Sequence, residues 1–241
     1  MGTEEDQTLR VGVGFLVWLL EKNPSKAEEL ISIALDNRVQ AVWFSFGEDI
    51  GRWVRYVREH DPRAGSKDAV KIFIQLSTVQ ELKVAITEWN ADVIIVQGLR
   101  HLKRYQNCFA YFSFFVGNEA GGHGLKASLP LLNLFPLLAN VASQLNGPPL
   151  LAAGGLATGS QVASLLTLGA SGVVLGTRFL LSPESLYTDP QREALLAADS
   201  SLSVRTMAFD YARNTLGWPK GVDGRGLRNG ITETHSTTPS S

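Results

Sequence analysis

The sequence has few cysteines, little net charge and no long apolar runs. Its 241 residues include one cysteine, Cys108, which excludes a disulfide within the chain and a metal site built from cysteines. Positive and negative side chains nearly cancel, leaving a formal net charge of −1, so the chain has no basic field to hold nucleic acid or an anionic membrane. We therefore expect no nucleic-acid partner.

The sequence also lacks recognisable membrane and export signals. The most apolar runs, residues 11–20 and 108–116, are well short of the roughly 20 residues that a membrane helix needs. The N-terminal hexapeptide MGTEED is acidic where a secretory signal is basic, and Asp6 stands where a myristoylation signal has serine or threonine. These features predict a protein without a membrane segment or lipid anchor, located in the cytoplasm, with an organelle as the open alternative.

Short apolar segments alternate with helical segments along much of the chain. Asn23 with Pro24, and Thr78 with Glu81, are typical helix starts. This alternation predicts an α/β fold with a parallel sheet, and the length with 44% hydrophobic residues suits one barrel-sized domain. The first four predicted strands are residues 11–17, 40–46, 70–76 and 92–96.

Each of the last two predicted strands is followed by a glycine turn. Residues 150–153 precede Gly154 and Gly155, and residues 172–175 precede Gly176. Parallel strands end at the same rim, where bare backbone N–H groups and a helix N-terminus bind anions. We therefore expect a phosphate site at these turns. The alternative is that the small residues only permit tight turns.

His123 is the histidine whose surroundings point to chemistry. It lies among Gly121, Gly122 and Gly124, on a predicted loop after a barrel strand, where active-site residues of this architecture gather. A histidine can accept a proton near neutral pH, so His123 is a candidate base. The alternative is a solvated histidine on a surface loop.

Three weaker candidates accompany His123. Glu119 is a candidate for orienting it, Arg178 for countering a phosphate, and the aromatic residues in the run 109–115 for stacking on a flat ligand. The corresponding structural alternatives are a hydrated carboxylate, a surface arginine and simple packing. No spacing of histidine, cysteine and carboxylate residues predicts a metal site, and no Ser-His-Asp arrangement stands out.

The C-terminal third of the sequence predicts helices followed by a tail. The clearest helical segments are residues 191–198 and 204–216, which we expect to pack outside the barrel. The last residues contain few apolar side chains, which is typical of disorder. The predicted organisation is one barrel-like domain with C-terminal helices over residues 9–229 and a disordered tail over residues 230–241.

Four segments of the sequence occur as a set in one enzyme family: AAGGLATG, LGASGVVLGTRF, VQG and EAGGHG. Over residues 9–229 the chain resembles the nitronate monooxygenases, formerly called 2-nitropropane dioxygenases. The resemblance implies that this domain is an FMN-dependent (β/α)8 barrel of the TIM type, with His123 as catalytic base. It also implies cofactor contacts at eight positions, Gln97 and Gly121 near the flavin and, around its phosphate, Gly154, Gly155, Val174, Leu175, Gly176 and Thr177.

The resemblance also implies an activity. In this family the base removes the acidic proton beside a nitro group or holds a nitronate already formed, and oxidation by FMN and O2 then gives a carbonyl compound and nitrite. The implied partners are a small nitronate or nitroalkane and O2, with the oligomeric state unassigned. FMN-dependent enoyl-acyl carrier protein or quinone reductases that use NAD(P)H share these motifs and are the alternative activity. A catalytically inactive, truncated remnant is the alternative from another class.

The sequence departs from the family pattern in two places. The first two strands of the family have no counterpart, so the chain corresponds to strands three to eight of eight, an incomplete barrel. The family runs from VQG almost directly into NEAGGHG, whereas residues 99–117 separate these segments here. We interpret the two departures as a missed first exon and a retained intron. The alternative is a genuine insertion that covers the opening left by the missing strands.

Overall fold

The computed structural model describes residues 9–97, 120–125 and 129–234. The segment 99–117, and with it the choice between intron and insertion, lies outside the described residues. Within the described ranges, no helix is both long and apolar enough to cross a membrane.

The chain forms two compact units. Unit 1 comprises Met1–Val96 and Leu137–Leu151, and unit 2 comprises Gln97–Pro136 and Ala152–Ser241. The main elements of unit 1, in chain order, are β1 (Leu9–Leu16), α1 (Val17–Lys22), α2 (Pro24–Asp36), β2 (Val39–Ser45), α3 (Ile50–His60), β3 (Lys71–Leu76), α4 (Val79–Thr87) and β4 (Val93–Gln97), which ends at the boundary.

The first four strands pair in parallel, as predicted, and they lie in chain order in the sheet. Val42 of β2 lies opposite Val13 of β1 and Ile72 of β3, and Ile74 of β3 lies opposite Ile94 of β4. Of these side chains, Val42, Ile72, Ile74 and Ile94 are 0% exposed. Unit 1 therefore has an apolar core formed by strands whose hydrophobic runs are visible in the sequence.

Side-chain caps begin two helices of unit 1 where the sequence predicts them. The Asn23 side chain accepts a hydrogen bond from the Lys26 N–H at 3.2 Å, and Pro24 is the first residue of α2. Thr78 Oγ1 accepts one from the Glu81 N–H at 3.1 Å at the start of α4. Each cap satisfies an N–H that has no partner within its helix. Both predicted helix starts are confirmed.

Two elements cross the boundary between the units. The helix α5 (Leu131–Gln144) continues through Pro136, which therefore does not divide it, and the strand β6 spans Leu150–Ala153. The remaining elements, all in unit 2, are β5 (Gly122–Leu125), α6 (Gly159–Thr167), β7 (Gly172–Val174), α7 (Asp189–Ala197), β8 (Ser203–Thr206), α8 (Ala208–Arg213), β9 (Val222–Leu227) and α9 (Gly230–Thr234).

The described strands form two sheets. The larger sheet has six strands in the order β1-β2-β3-β4-β6-β7. The smaller sheet has three strands in the order β5-β9-β8, and both of its pairings are antiparallel. The fold class is α/β, and the six-stranded sheet corresponds to an incomplete barrel of the (β/α)8 type, as predicted.

The three-stranded sheet corrects two predictions. Residues 204–216, predicted as one helix, contain most of β8, a turn at Met207 and then α8. His123, predicted on a loop, lies in β5 and pairs with Gly224 of β9. The strand β8 (SVRT) is mostly polar, and β9 (VDGRGL) carries two charged residues and two glycines, so both lack the apolar alternation by which a strand is recognised.

The region predicted as a disordered tail begins with a helix. Gly230–Thr234 form α9, and Asn229 Oδ1 accepts a hydrogen bond from the Ile231 N–H at 3.0 Å at its start. An asparagine in this position stabilises a helix start in the same way as Asn23 does in unit 1. Residues 235–241 lie outside the described residues.

Candidate active site

The strand β5 positions His123 in unit 2. Its neighbour across the sheet is Gly224, and a Cβ atom at Gly224 would lie 3.5 Å from His123 Nε2. Because the glycine has no side chain, the imidazole lies directly beside the backbone of β9. The side chain of His123 is 22% exposed, so the ring is half-buried and still reaches solvent.

The main partner of His123 is Asp210 on α8. His123 Nε2 lies 3.0 Å from both carboxylate oxygens, Oδ1 and Oδ2. The Asp210 side chain is only 1% exposed. It also accepts hydrogen bonds at Oδ1 from the Thr215 hydroxyl at 2.8 Å and from Trp218 Nε1–H at 3.0 Å. A buried carboxylate needs such donors, because burial without them costs several kcal/mol.

Trp218 holds the imidazole as well as the carboxylate. Its ring stacks on the ring of His123 with 3.7 Å between centroids and an angle of 9° between planes. The stack fixes the plane of the imidazole and covers one of its faces. His123, Asp210 and Trp218 therefore form a closed triangle of contacts, which we call the histidine cluster.

A buried ion pair fixes the strand that carries His123. Arg205 of β8 donates from Nε to Asp223 Oδ1 at 2.6 Å, and the two side chains are 9% and 6% exposed. Arg205 Nη2 also donates to the backbone oxygen of Gly124 at 2.6 Å. One guanidinium therefore ties β5, β8 and β9 together beside His123.

The structure brings together Gln97 and His123, two of the residues selected from the sequence. Gln97 Nε2 donates to the backbone oxygen of His123 at 3.4 Å. The amide therefore lies at the same strand as the candidate base, but it contacts the main chain and not the imidazole. Glu119, the sequence candidate for orienting His123, lies outside the described residues.

The two residues before β5, Ala120 and Gly121, lie against the two glycine turns. A Cβ at Gly154 would lie 2.9 Å from Ala120 Cβ, and a Cβ at Gly121 would overlap with Thr177 Oγ1. A side chain at either position would therefore force its neighbour to move. Gly154 and Gly155 also have positive φ angles of 111° and 69°, which favour glycine. The structure therefore brings Gly121 next to Thr177 and Gly154 next to Ala120.

The second glycine turn follows β7. Val174 ends the strand, Leu175 follows, and Gly176 accepts a hydrogen bond from the Phe179 N–H at 2.9 Å as a short 3₁₀ helix, Thr177–Leu181, begins. A Cβ at Gly176 would have no atom within 4 Å. The backbone here is therefore open to close approach by another group. Arg178 is exposed beside this turn.

Two backbone N–H groups at the N-terminus of α6, which follows the first glycine turn, already have a hydrogen-bond acceptor within the chain. Gln161 Oε1 accepts hydrogen bonds from the backbone N–H groups of Ala157 at 2.8 Å and Thr158 at 3.0 Å. These donors are among those that the sequence offers to an anion at α6. A cavity of about 70 Å³ adjoins this turn, well below the roughly 300–1,000 Å³ of small-molecule sites. Its lining includes Gly154 and Gly155 but no residue of the second turn.

Sequence reasoning missed three members of the site: Asp210, Thr215 and Trp218. Asp210 lies 87 residues after His123, so no local spacing connects the two. The one available signal is its position between apolar residues, in the segment AFDYA, where a carboxylate needs a partner. Among the described residues, no group of histidine, cysteine and carboxylate side chains is arranged to hold a metal ion.

Comparisons with known proteins show which family the segments of the candidate site resemble. The family model described as nitronate monooxygenase matches residues 113–237, just over half of the chain. A nitronate monooxygenase of Metarhizium robertsii, npaC, is 29% identical over 236 residues, which cover 95% of this chain and 57% of npaC. The chain therefore spans little more than half the length of this relative.

Two solved structures share the fold. FabK from Thermotoga maritima superposes with a TM-score of 0.66 and 21% identity, over 93% of this chain and 56% of FabK. Nitroalkane oxidase from Streptomyces ansochromogenes superposes with a TM-score of 0.62 and 22% identity, over 94% of this chain and 63% of the oxidase. Identities this low establish the fold alone. The family model, which covers every described residue of the histidine cluster, shows that the chain belongs to the nitronate monooxygenase family.

Proposed function

We propose that this protein is a flavin-dependent oxidoreductase that oxidises alkyl nitronates with O2 to a carbonyl compound and nitrite, with His123 as its base. The observation that carries the proposal is the imidazole of His123 on the buried carboxylate of Asp210, 3.0 Å away. A half-buried imidazole held by a carboxylate is a common arrangement for proton transfer. Both residues lie in the segment that the nitronate monooxygenase model matches.

We propose FMN as the flavin, and the glycine turns fit its phosphate. The backbone at Gly154 and Gly155 takes conformations that exclude most side chains, and open space surrounds Gly176. Backbone of this kind can approach an anion closely. Bound FMN would supply the electron acceptor and the reaction with O2. The residues proposed to hold it are Gln97 and Gly121 for the flavin ring, and Gly154, Gly155, Val174, Leu175, Gly176 and Thr177 for the phosphate.

His123 carries out the proton step of this proposal. With a nitroalkane, the neutral imidazole takes the proton from the carbon beside the nitro group. The C–H bond breaks, its electron pair remains on the nitronate, and an imidazolium forms. The buried Asp210 carboxylate stabilises that positive charge from 3.0 Å, and Trp218 keeps water from one face of the ring. A preformed nitronate enters without this proton transfer.

The test is the formation of nitrite by the purified chain. The protein is incubated with FMN, separated from the excess by gel filtration, and mixed with ethyl nitronate in air. We expect a yellow protein that consumes O2 and releases nitrite faster than the same amount of free FMN. A yellow protein that releases no more nitrite than free FMN contradicts the activity. A protein that stays colourless supports the inactive remnant instead.

Reduction by NAD(P)H is the second candidate activity. The fold is shared with FabK, and the glycine turns with the Gly-Gly-His segment also suit FMN-dependent enoyl-acyl carrier protein and quinone reductases. The two activities separate under anaerobic conditions, where the flavin is bleached by the reductant that the enzyme accepts. We expect bleaching by nitronate. Bleaching by NADH or NADPH but not by nitronate assigns the reductase activity.

A further inference from the structure

We propose that Asp210 is a positioning residue that holds His123 in one tautomer, with the proton on Nε2 and the lone pair on Nδ1. Nδ1 is then the atom that exchanges the substrate proton, a consequence that rests on the proposed function. The placement of the proton itself rests only on the geometry of the histidine cluster. The two claims can therefore be tested separately.

The chemistry of the carboxylate decides which nitrogen is protonated. An ionised carboxylate only accepts hydrogen bonds, so a neutral imidazole that faces it must present its N–H. His123 Nε2 lies 3.0 Å from each oxygen of Asp210, which places this N–H between them. In the other tautomer, two lone-pair atoms would face each other in a buried site. That arrangement costs the hydrogen bond and adds electrostatic repulsion.

The other side-chain partners of Asp210 are also hydrogen-bond donors. The Trp218 indole nitrogen is a donor only, and it lies 3.0 Å from Oδ1. The Thr215 hydroxyl donates to the same oxygen at 2.8 Å. With Nε2 of His123, the carboxylate receives hydrogen bonds from three side chains while 1% exposed. These donors stabilise the charged carboxylate, as donors to a buried anion do.

The carboxylate selects the protonated nitrogen, and the aromatic stack fixes the orientation of the ring. The 3.7 Å stack on Trp218 restricts the tilt of the imidazole, so Nδ1 keeps a fixed direction away from the carboxylate that Nε2 contacts. In the described part of the chain, Nδ1 has no hydrogen-bond partner. Among the described residues, the ring therefore presents one lone pair, in one direction, that no donor occupies.

The direct test is the nitrogen NMR spectrum of the imidazole in ¹⁵N-histidine-labelled protein, at a pH where the ring is neutral. The shifts of the two ring nitrogens report which one carries the proton. The His123 signals are assigned by their loss in His123→Asn. We expect the Nε2–H tautomer of His123 in the unaltered protein. A dominant Nδ1–H tautomer in that protein overturns the proposal without the need for any variant at Asp210.

The variant Asp210→Asn tests the cause of the tautomer. Its amide can donate as well as accept, so we expect the preference to be lost and both tautomers to appear. The matched control is Asp61→Asn, the same change at a buried carboxylate of unit 1 that pairs with Arg63. We expect the control to lose stability but to keep the Nε2–H tautomer. A folded Asp210→Asn protein with an unchanged tautomer overturns the positioning role.

Kinetics distinguish this role from a purely structural one. The variant Asp210→Asn should lower kcat for a neutral nitroalkane by about 10²-fold, within the range of general-base effects. Turnover of the preformed nitronate should fall much less, because no C–H proton is removed. Equal losses on both substrates contradict the positioning role. If the unaltered protein turns over neither substrate, the proposed function fails, while the NMR result still decides the tautomer.

Discussion

The four parallel strands β1 to β4 of unit 1 and the three-stranded sheet of unit 2 are stabilised by different interactions. In unit 1, Val42, Ile72 and Ile74 are completely buried in an apolar core. In unit 2, Arg205, which pairs with Asp223, donates a hydrogen bond to β5, and Asp210 contacts the imidazole of His123. Apolar burial is shared among many similar contacts, whereas each polar contact depends on one side chain. Single substitutions should therefore alter the geometry of the small sheet more than that of the large one.

The largest expected effect is the loss of the candidate base. In His123→Asn, the amide cannot accept a proton, so turnover of a neutral nitroalkane should fall by about 10²- to 10⁴-fold. Nitrite release measures this change. The control is His60→Asn, the same substitution at an exposed histidine of α3, which should leave turnover unchanged. Equal turnover by His123→Asn and the unaltered protein would exclude His123 as the base.

The next largest effect is expected from breaking a buried arginine–aspartate pair. We compare one such pair in unit 1 with one in unit 2. Arg63 with Asp61 in unit 1 and Arg205 with Asp223 in unit 2 are each less than a tenth exposed. Changing either arginine to methionine leaves a buried aspartate without its partner, which costs about 3–5 kcal/mol. Urea unfolding should show both losses.

The two variants should differ at the active site. The Arg205→Met variant also loses the hydrogen bond to Gly124, so the His123 NMR signals should shift and nitrite release should fall. The Arg63→Met variant should change neither at urea concentrations where the protein is folded. A functional loss of the same size in both variants would show that stability, and not the position of β5, controls activity.

The same contrast explains how much of the fold the sequence reveals. The strand and helix pattern of unit 1 depends on local spacing, so β1 to β4 and the caps at Asn23 and Thr78 follow from the sequence. The small sheet depends on pairings between distant segments, such as Gly124 with Asp223. Its strands carry charges and glycines in place of an apolar pattern, and local periodicity therefore misassigns residues 204–216.

The candidate site also combines residues that short motifs reveal with residues that come together only in the folded chain. The glycine turns and His123 are short motifs that a single sequence displays, and the structure shows close approaches at Gly121 and Gly154. Asp210 and Trp218 are single residues far along the chain, and their role depends on three-dimensional packing. One sequence offers no spacing that links them to His123.

A smaller effect is expected from replacing a glycine by alanine in each of the two sheets. A Cβ at Gly226 of β9 would lie 2.9 Å from two ring carbons of Phe209, so Gly226→Ala forces the ring to move. Such overpacking costs about 1–3 kcal/mol. A Cβ at Gly12 of β1 would meet Ala41 at an ordinary 3.5 Å, so Gly12→Ala should be neutral or stabilise by up to about 1 kcal/mol. Thermal unfolding measures both, and a loss at Gly12 equal to that at Gly226 would contradict the packing argument.

The smallest effect is expected from removing the side chain that caps a helix. We compare one such cap in unit 1 with one in unit 2. Thr78 Oγ1 accepts from the Glu81 N–H at 3.1 Å, whereas Thr158 Oγ1 accepts from the Gln161 N–H at 3.4 Å. Replacing a threonine cap by alanine costs about 1 kcal/mol. The Thr158→Ala variant should lose less than Thr78→Ala, because its bond is longer and Gln161 Oε1 still accepts from two N–H groups at the start of α6.

Urea unfolding of the two cap variants without flavin measures the difference. The Gln161→Ala variant provides the control, since it removes the acceptor that remains in Thr158→Ala. We expect Gln161→Ala to be the more destabilising of the two changes at α6. A larger loss from Thr158→Ala would mean that the hydroxyl, and not the glutamine, satisfies this helix start.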